Sequence, residues 1–291
     1  MKTTSTFKIR ALIPLLLISA ASAFSAPIPD DCKVGDFVVG CQAYTFNHFT
    51  VFEAIERTAK AGGKTIEFYP GQKLSAEQPI GWDHKVSDEI IQKVKEQLTK
   101  NNIRAVGYGV VTPKAGDEAE WRQVFEFAKK LGLYSITTES VGDIDIFEKL
   151  VKEYDIRVGF HEHARRADDP SYKMWDPKYV LSVVKDRDPR IGSCADTGHW
   201  ATSNLQPLEC IKILHGRIIS LHLKDRPEIG KQIPDCVLGT GASNIAGILA
   251  ELKRQKFDGF ISLEYENNWD HSVPDVAQCI GFIRGYSAKS H

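Results

Sequence analysis

The sequence predicts a single-domain α/β protein with the architecture of a (β/α)8 TIM barrel, and two observations support this prediction. Short apolar runs alternate with longer stretches of helical period, a pattern that is typical of a parallel sheet. The runs number eight, which is the number of strands that closes such a sheet into a barrel. In chain order they are Val38–Tyr44, Thr65–Tyr69, Arg104–Gly109, Ser135–Thr138, Arg157–His161, Gly192–Asp196, Ile218–Leu223 and Gly259–Glu264.

The stretches between these strands carry helical signals. Ser87 is an N-cap before an acidic first turn, and Ile90, Val94 and Leu98 then fall on one face of a helix. The other predicted helices are Val51–Lys60, Glu118–Leu131, Ile144–Tyr154, Pro177–Val184, Leu208–Leu214, Ile245–Lys253 and Val273–Gly285. A doubly wound open sheet is the rival fold, but no glycine-rich phosphate-binding fingerprint follows the first strand. Because no linker interrupts the alternation, we expect one domain over Asp36–His291.

The N-terminus has the composition of a secretory signal. Basic residues as far as Arg10 precede an apolar run from Ala11 to Ala21, and small residues follow up to Ala23. The run is too short for a typical membrane-spanning helix. We therefore expect a signal peptide over residues 1–23, a periplasmic or secreted mature chain, and no stable membrane insertion after cleavage. An uncleaved anchor is the alternative.

Charge and cysteine content narrow the partners of the protein. The chain of 291 residues carries 37 basic and 38 acidic residues, for a net charge of −1, so a nucleic-acid partner is not expected. The six cysteines form no CxxC pair and no zinc-binding spacing. Buried free thiols are the simpler interpretation, and a disulfide of Cys32 with Cys41 or Cys236 is the alternative. The oligomeric state stays open, and a homo-oligomer is compatible with the sequence.

Polar side chains close the later strands of the predicted barrel, where barrel enzymes carry their reactive groups. They are Glu139 on the fourth strand, His161, Glu162 and His163 on the fifth, Asp196 and His199 on the sixth, His222 and Lys224 on the seventh, and Glu264 and Glu266 on the eighth. Several like charges at one mouth are costly unless a cation compensates them. Carboxylate oxygens with imidazole nitrogen suit a divalent metal such as Mn²⁺, Mg²⁺, Co²⁺ or Zn²⁺.

Three of these segments resemble a known family. They are Ala195-Asp196-Thr197-Gly198-His199, Leu221-His222-Leu223-Lys224-Asp225 and Ser262-Leu263-Glu264-Tyr265-Glu266. They are similar to motifs of the sugar phosphate isomerase/epimerase family, whose members have the xylose isomerase-like TIM barrel. That family includes ketose 3-epimerases, inosose dehydratases and repair enzymes of the endonuclease IV type. The resemblance covers essentially Asp36 to His291.

The resemblance implies a set of site residues. The metal ligands that it implies are Asp196, His222 and Glu264, and His199 would be directed at substrate oxygens. Many members take their other ligand from a glutamate that closes the fifth strand, where this chain has His161. We therefore predict Glu139 as the fourth ligand, with His161 as the alternative. Since alternate residues of a strand share a face, His161 and His163 could bind substrate together or share ligation.

A metal at this mouth favours removal of a proton from the carbon beside the carbonyl of a keto-sugar. The epimerases that this chain resembles use two glutamates on opposite faces of that carbon, and here only Glu264 matches one of them. His161 at the other position favours dehydratase or lyase chemistry, or a one-base isomerisation, on a keto-sugar or keto-glycoside. We expect Glu264 or a histidine, His161 or His163, to be the base. Lys224 either holds a substrate oxygen or pairs with Asp196 or Glu264.

Aromatic and polar side chains near the strand ends predict sugar recognition. Tyr69 and Gln72 follow the second strand, Trp200 follows the sixth, Trp269 the eighth, and Arg226 lies just beyond the seventh. Loop packing, or a rim salt bridge for Arg226, is the alternative role. No phosphate-binding signature is present, so we expect a neutral small-molecule sugar.

Two other functions remain compatible with these patterns. A non-catalytic secreted barrel that binds sugars would keep the same mouth without turnover. A repair-type endonuclease shares the barrel and the metal chemistry, but it needs additional ligands for a metal cluster and a basic DNA-binding face. The net charge of −1 and the predicted secretion oppose the endonuclease.

Overall fold

A computed structural model of the protein describes residues 28–289, so the predicted signal peptide lies outside the described residues. Eight parallel strands form a barrel that closes because the first strand pairs with both the second and the eighth. The strands are β1 Phe37–Gln42, β2 Thr65–Phe68, β3 Arg104–Tyr108, β4 Ser135–Thr138, β5 Arg157–His161, β6 Ile191–Asp196, β7 Ile218–Leu223 and β8 Phe260–Leu263. The predicted TIM barrel is confirmed.

Helices surround the barrel in the expected order. They are α1 Val51–Lys60, α2 Asp88–Asn101, α3 Glu118–Leu131, α4 Ile144–Tyr154, α5 Pro177–Val184, α6 Thr197–Thr202, α7 Pro207–Ile213, α8 Ile245–Arg254 and α9 Val273–Ala288. Within residues 28–289, none of the helices is long and apolar enough to cross a membrane. The additions that were not predicted include the short helix α6, a hairpin of Gln72–Lys73 with Gly81–Trp82, and a short strand Lys33–Val34 that pairs antiparallel with the start of β1.

Local sequence determines where several helices begin and end. Thr50 and Glu53 form a capping box at the start of α1, and Ser87 accepts a hydrogen bond from the Ile90 amide at the start of α2. Gly132 ends α3 with a φ of 69°, a conformation that glycine adopts at little cost. The first predicted strand ended too late, because Ala43–Phe46 turns into a 3-10 helix after Gln42.

The barrel interior is a packed core. Every residue of β2, β4, β5 and β6 is buried, including the polar and charged residues at their carboxyl ends. All six thiols are free, so Cys32 forms no bridge with Cys41 or Cys236. A buried polar group needs a partner that compensates its lost hydration. The buried polar residues at the carboxyl ends of the strands are therefore candidates for a functional site.

Candidate active site

Four side chains from consecutive strands converge at the carboxyl end of the barrel. They are His161 on β5, Asp196 on β6, His222 on β7 and Glu264 directly after β8. Asp196 Oδ2 lies 3.6 Å from His161 Nε2 and 3.7 Å from His222 Nδ1, and His222 Nδ1 lies 3.1 Å from Glu264 Oε2. One ligand atom from each residue falls within 4.8 Å of the others.

These four atoms, His161 Nε2, Asp196 Oδ2, His222 Nδ1 and Glu264 Oε2, are all buried and make no hydrogen bond. The two carboxylate oxygens have the Lys224 ammonium within 3.2 Å, but the two imidazole nitrogens have no such partner. An unsatisfied buried polar atom costs about 1–3 kcal/mol, and a cation at the convergence point would satisfy all four. Two carboxylate oxygens and two imidazole nitrogens are a donor set for a divalent transition metal such as Mn²⁺, Co²⁺ or Zn²⁺. The residues therefore fit the metal that the sequence predicts.

Two further carboxylates orient the imidazoles. Glu67 Oε2 lies 2.9 Å from His222 Nε2, and Glu139 Oε1 lies 3.3 Å from His161 Nδ1. A hydrogen bond at one ring nitrogen leaves the lone pair of the other nitrogen free, and here that second nitrogen faces the convergence point. These contacts would hold each histidine, with a metal bound, in the tautomer that a ligand requires.

Glu139 and His161 take different positions at the mouth of the barrel. Glu139 lies behind the His161 ring, where its other oxygen accepts a hydrogen bond from the Tyr172 hydroxyl at 2.8 Å. Although burial opposes the shift, hydrogen bonds from His161 and Tyr172 hold the pKa of Glu139 below its usual value. The structure therefore places the alternative, His161, in the group of four. Glu139 contacts the ring nitrogen of His161 that points away from this group.

Glu67 is a site residue that sequence reasoning missed. Its buried carboxylate accepts hydrogen bonds from Thr137 Oγ1 and Ser262 Oγ, both at 2.8 Å, besides its contact with His222. The available signal was a charged residue inside the short, fully buried strand β2. Such a residue needs partners from across the barrel.

Replacing Glu67 with glutamine is expected to weaken the affinity for divalent metal about 10- to 100-fold, because an outer carboxylate orients its histidine. The NH2 group of the new glutamine would also face at least one of the groups that contact the Glu67 carboxylate, which are Thr137, His222 and Ser262. Titration of Mn²⁺ or Zn²⁺ by calorimetry measures the effect, with the exposed Glu77→Gln as a matched control. Equal affinity in Glu67→Gln and the wild type would show that Glu67 does not orient His222.

Lys224 provides a buried positive charge beside the ligands. Its ammonium is fully buried and lies 2.8 Å from Glu264 Oε2, 3.2 Å from Asp196 Oδ2 and 3.5 Å from Glu266 Oε1. Burial disfavours its charge, but these carboxylates raise the pKa of Lys224 well above its ordinary value. Burial likewise opposes ionisation of Asp196 and Glu264, yet nearby positive charges, including Lys224, lower the pKa of both. Of the two roles predicted for Lys224, these contacts favour the ion pair.

A cavity of about 350 Å³ opens over the convergence point. Its lining includes Tyr44, Tyr69, Glu139, His161, His163, His199, His222, Glu264 and Glu266. Among the predicted substrate-binding residues, Tyr69 and His199 therefore face the cavity. These residue types suit a small polar ligand with hydroxyl groups.

Three predicted substrate contacts lie elsewhere. Trp200 is fully buried, and its indole N–H donates to Glu162 at 2.8 Å, because the short helix α6 turns it into the core. Gln72 donates to the backbone carbonyls of segment 46–49 from the hairpin. Arg226 is buried against Asp235, with Nε 3.1 Å from Oδ1, so the rim salt bridge describes it better. Neither these three nor Trp269, which packs against Tyr44, lines the cavity over the ligands.

Histidines form one wall of this cavity. Contacts run from Glu264 to His222, to His161 at a ring-centroid distance of 5.1 Å, and on to His163 at 5.8 Å. The ring centroids of His163 and His199 lie 4.1 Å apart. Burial lowers the pKa of both, so these two rings are neutral near pH 7. The site therefore combines a carboxylate at one end of the row with neutral imidazoles at the other.

Comparison with known families identifies the barrel. The family model described as xylose isomerase-like TIM barrel matches residues 55–285. The chain belongs to this family. In this barrel the strand ends from β5 to β8 supply the four side chains that converge, and Glu67 on β2 and Glu139 after β4 contact two of them.

Solved structures of the same fold include a close match in length. An uncharacterised protein from Parabacteroides distasonis ATCC 8503 is 30% identical, with a TM-score of 0.69 over 86% of this chain and 99% of that one. A D-tagatose 3-epimerase-like protein is 18% identical, with a TM-score of 0.66 over 86% and 97%. A D-allulose 3-epimerase from Methylomonas sp. is 16% identical, with a TM-score of 0.65 over 85% and 97%. The last two show a shared fold.

A curated relative matches part of the chain. The 3-oxo-isoapionate decarboxylase of Pectobacterium atrosepticum is 31% identical over 97 residues, which cover 31% of this chain and 32% of that protein. The match thus spans about a third of the relative's length.

Gly198 packs closely against the Lys224 side chain beside the site of this xylose isomerase-like barrel. A methyl group on Gly198 would lie 2.6 Å from Lys224 Cδ and 2.7 Å from its Cβ, so α6 or β7 would have to shift. We expect Gly198→Ala to destabilise the fold by about 1–3 kcal/mol, as overpacked cores do. Gly285→Ala is the matched control, because nothing lies within 4 Å of its new methyl group. Chemical denaturation measures both, and equal stability of the two variants would contradict this account.

Proposed function

We propose that the protein is a metal-dependent enzyme that removes a proton from the carbon beside the carbonyl of a keto-sugar. The observation that carries the proposal is the convergence of four buried ligand atoms that make no hydrogen bond beneath a cavity of about 350 Å³. That volume lies at the small end of the range for ligand pockets, about 300–1,000 Å³, and suits one sugar ring.

The residues divide the work of such a reaction. A divalent cation bound by the four ligands would polarise the substrate carbonyl and so make the neighbouring proton easier to remove. Glu264 is ionised and lines the cavity, so we assign it the role of base. Neutral His163 and His199 can hydrogen-bond to a departing or migrating hydroxyl group. Tyr44 and Tyr69 offer aromatic faces to the sugar ring.

Among the reactions of this type, the arrangement favours elimination. Glu264 lies at one end of the histidine row and neutral imidazoles lie at the other. Two other carboxylates line the cavity, but Glu139 is hydrogen-bonded to His161 and Tyr172, and Glu266 lies between Lys224 and Arg226. We therefore assign Glu264 as the one base, paired with hydrogen-bond donors. Loss of a β-substituent needs that pairing, whereas two-base epimerisation needs a second carboxylate on the opposite face. We therefore rank dehydration or keto-glycoside cleavage above epimerisation. The partial similarity to a 3-oxo-isoapionate decarboxylase makes a 3-oxo sugar acid a further substrate to test.

One experiment tests the reaction class. The purified protein, loaded with Mn²⁺, Co²⁺ or Zn²⁺, is incubated in D2O with ketohexoses, 3-keto-glucosides and a 3-oxo sugar acid, and products are followed by NMR. We expect deuterium to enter beside the carbonyl or an elimination product to accumulate, and only with metal present. Metal binding without exchange or product on any substrate class would overturn the enzyme and leave a sugar-binding barrel.

A further inference from the structure

A second groove of about 510 Å³ adjoins the cavity over the ligands. One wall is the segment Asn47–Thr50, which leads into α1, and the other is formed by residues 71–79 of the hairpin that follows β2. Tyr69 lines both the groove and the cavity, so the two spaces share a wall. We call this space the Tyr69 groove.

The walls of the Tyr69 groove are held in place by hydrogen bonds. The Gln72 amide donates to the carbonyls of Phe46 at 3.2 Å and Phe49 at 3.0 Å, which ties the hairpin to the opposite wall. The Phe52 amide donates to the Leu74 carbonyl at 3.2 Å, which adds a second tie. A groove that is already ordered spares a ligand the cost of ordering it.

The rim of the groove leaves apolar surface exposed. Tyr44, at 39% exposure, and Ile80, at 41%, are the large apolar side chains that residues 28–289 leave exposed. Tyr44 meets the Tyr69 ring edge-on at 5.3 Å and Trp269 at 6.0 Å. Ile80 belongs to the hairpin, next to Pro79 of the groove wall. Each lies next to a residue that lines the groove, so a ligand that extends beyond the groove would meet apolar surface there.

The chemistry of the lining is that of a carbohydrate site. Aromatic Tyr69 is combined with the Asn47 amide, the His48 imidazole, the Ser75 hydroxyl and the exposed Lys73 ammonium. A sugar ring has apolar faces that pack on aromatic rings and hydroxyl groups that both donate and accept hydrogen bonds. No acidic residue lines the groove, so nothing there favours a cationic ligand.

We infer that the Tyr69 groove is a subsite for a second sugar ring, so that the substrate is a disaccharide or a longer glycoside. The inference rests on the proposed function, because the first ring is the one that reaches the ligands. The ring in the groove would be the leaving portion in a keto-glycoside cleavage. Gln72, which was predicted to bind substrate, lines the Tyr69 groove and not the cavity over the ligands.

Filling the groove tests the inference without touching the ligands. Ala76 is exposed and lines the groove but not the cavity, so Ala76→Trp narrows the groove alone. Ala250→Trp, on the exposed surface of α8, is the matched control. Binding of glucose, cellobiose, maltose, trehalose and octyl glucoside to the Mn²⁺-loaded protein is measured by calorimetry and saturation-transfer NMR.

We expect at least one disaccharide to bind about tenfold more tightly than glucose, a gain worth roughly 1.4 kcal/mol. Ala76→Trp should remove that gain and leave glucose binding unchanged, while Ala250→Trp should alter neither. The subsite is refuted if no disaccharide exceeds glucose, if Ala76→Trp spares the gain, or if octyl glucoside gains as much as the disaccharides. These readouts need no turnover, so a failure of deuterium exchange would count against the proposed reaction and not against the subsite.

Discussion

Replacing His161 with alanine is expected to abolish tight binding of a divalent metal, whereas Glu139→Gln should reduce the affinity only about 10- to 100-fold. His161 supplies one of the four converging ligand atoms, and its removal also leaves the Glu139 carboxylate without its imidazole partner. Glu139→Gln retains an oxygen that can accept from His161, together with the contact to Tyr172. The difference between the two variants separates a ligand from a residue that orients one.

Metal content and affinity measure this difference directly. Each variant is loaded with Mn²⁺ or Zn²⁺, the bound metal per chain is determined by mass spectrometry, and dissociation constants come from calorimetric competition. Circular dichroism confirms that His161→Ala remains folded, and Tyr172→Phe provides a control that removes only the second contact of Glu139. If Glu139→Gln lost all bound metal while His161→Ala kept it, Glu139 would be the ligand after all.

The sequence could predict the neighbourhood of the site because the fold determines it. In a closed parallel barrel the carboxyl ends of all strands meet at one face, so Asp196, His222 and Glu264 converge once their strands are assigned correctly. Which residue supplies the fourth ligand depends on more than the order of the strands. Glu139 and His161 end adjacent strands, and only the side-chain packing shows that one lies behind the other.

Residues that act across the barrel were harder to predict. Glu67 and His222 are 155 positions apart in the chain, and their 2.9 Å contact exists only because β2 and β7 face each other through the interior. Trp200 was predicted to face the substrate, but the unforeseen helix α6 directs it toward Glu162. Single-sequence patterns record the burial of a residue more reliably than its partners, because the period of an element fixes the face and not the neighbour.

Glu264→Gln is expected to slow solvent exchange beside the carbonyl about 10²- to 10⁴-fold, the usual contribution of a general base. The amide keeps an oxygen near the convergence point but loses the negative charge and the basic lone pair. Lys224 would still contact Asp196 at 3.2 Å and Glu266 at 3.5 Å, so its ammonium remains compensated. Metal affinity should therefore fall less than the exchange rate, and ¹H NMR in D2O at saturating metal measures the latter.

Glu266→Gln is the matched control for the base. Glu266 lines the same cavity and also contacts Lys224, but it is not among the four converging residues. Its substitution changes the local charge by the same amount as Glu264→Gln, so a purely electrostatic effect would slow both variants alike. If solvent exchange is slow in Glu264→Gln and nearly unchanged in Glu266→Gln, Glu264 is the residue that abstracts the proton. Undiminished exchange in Glu264→Gln together with its loss in His163→Ala would instead assign the base to the histidine at the other end of the row.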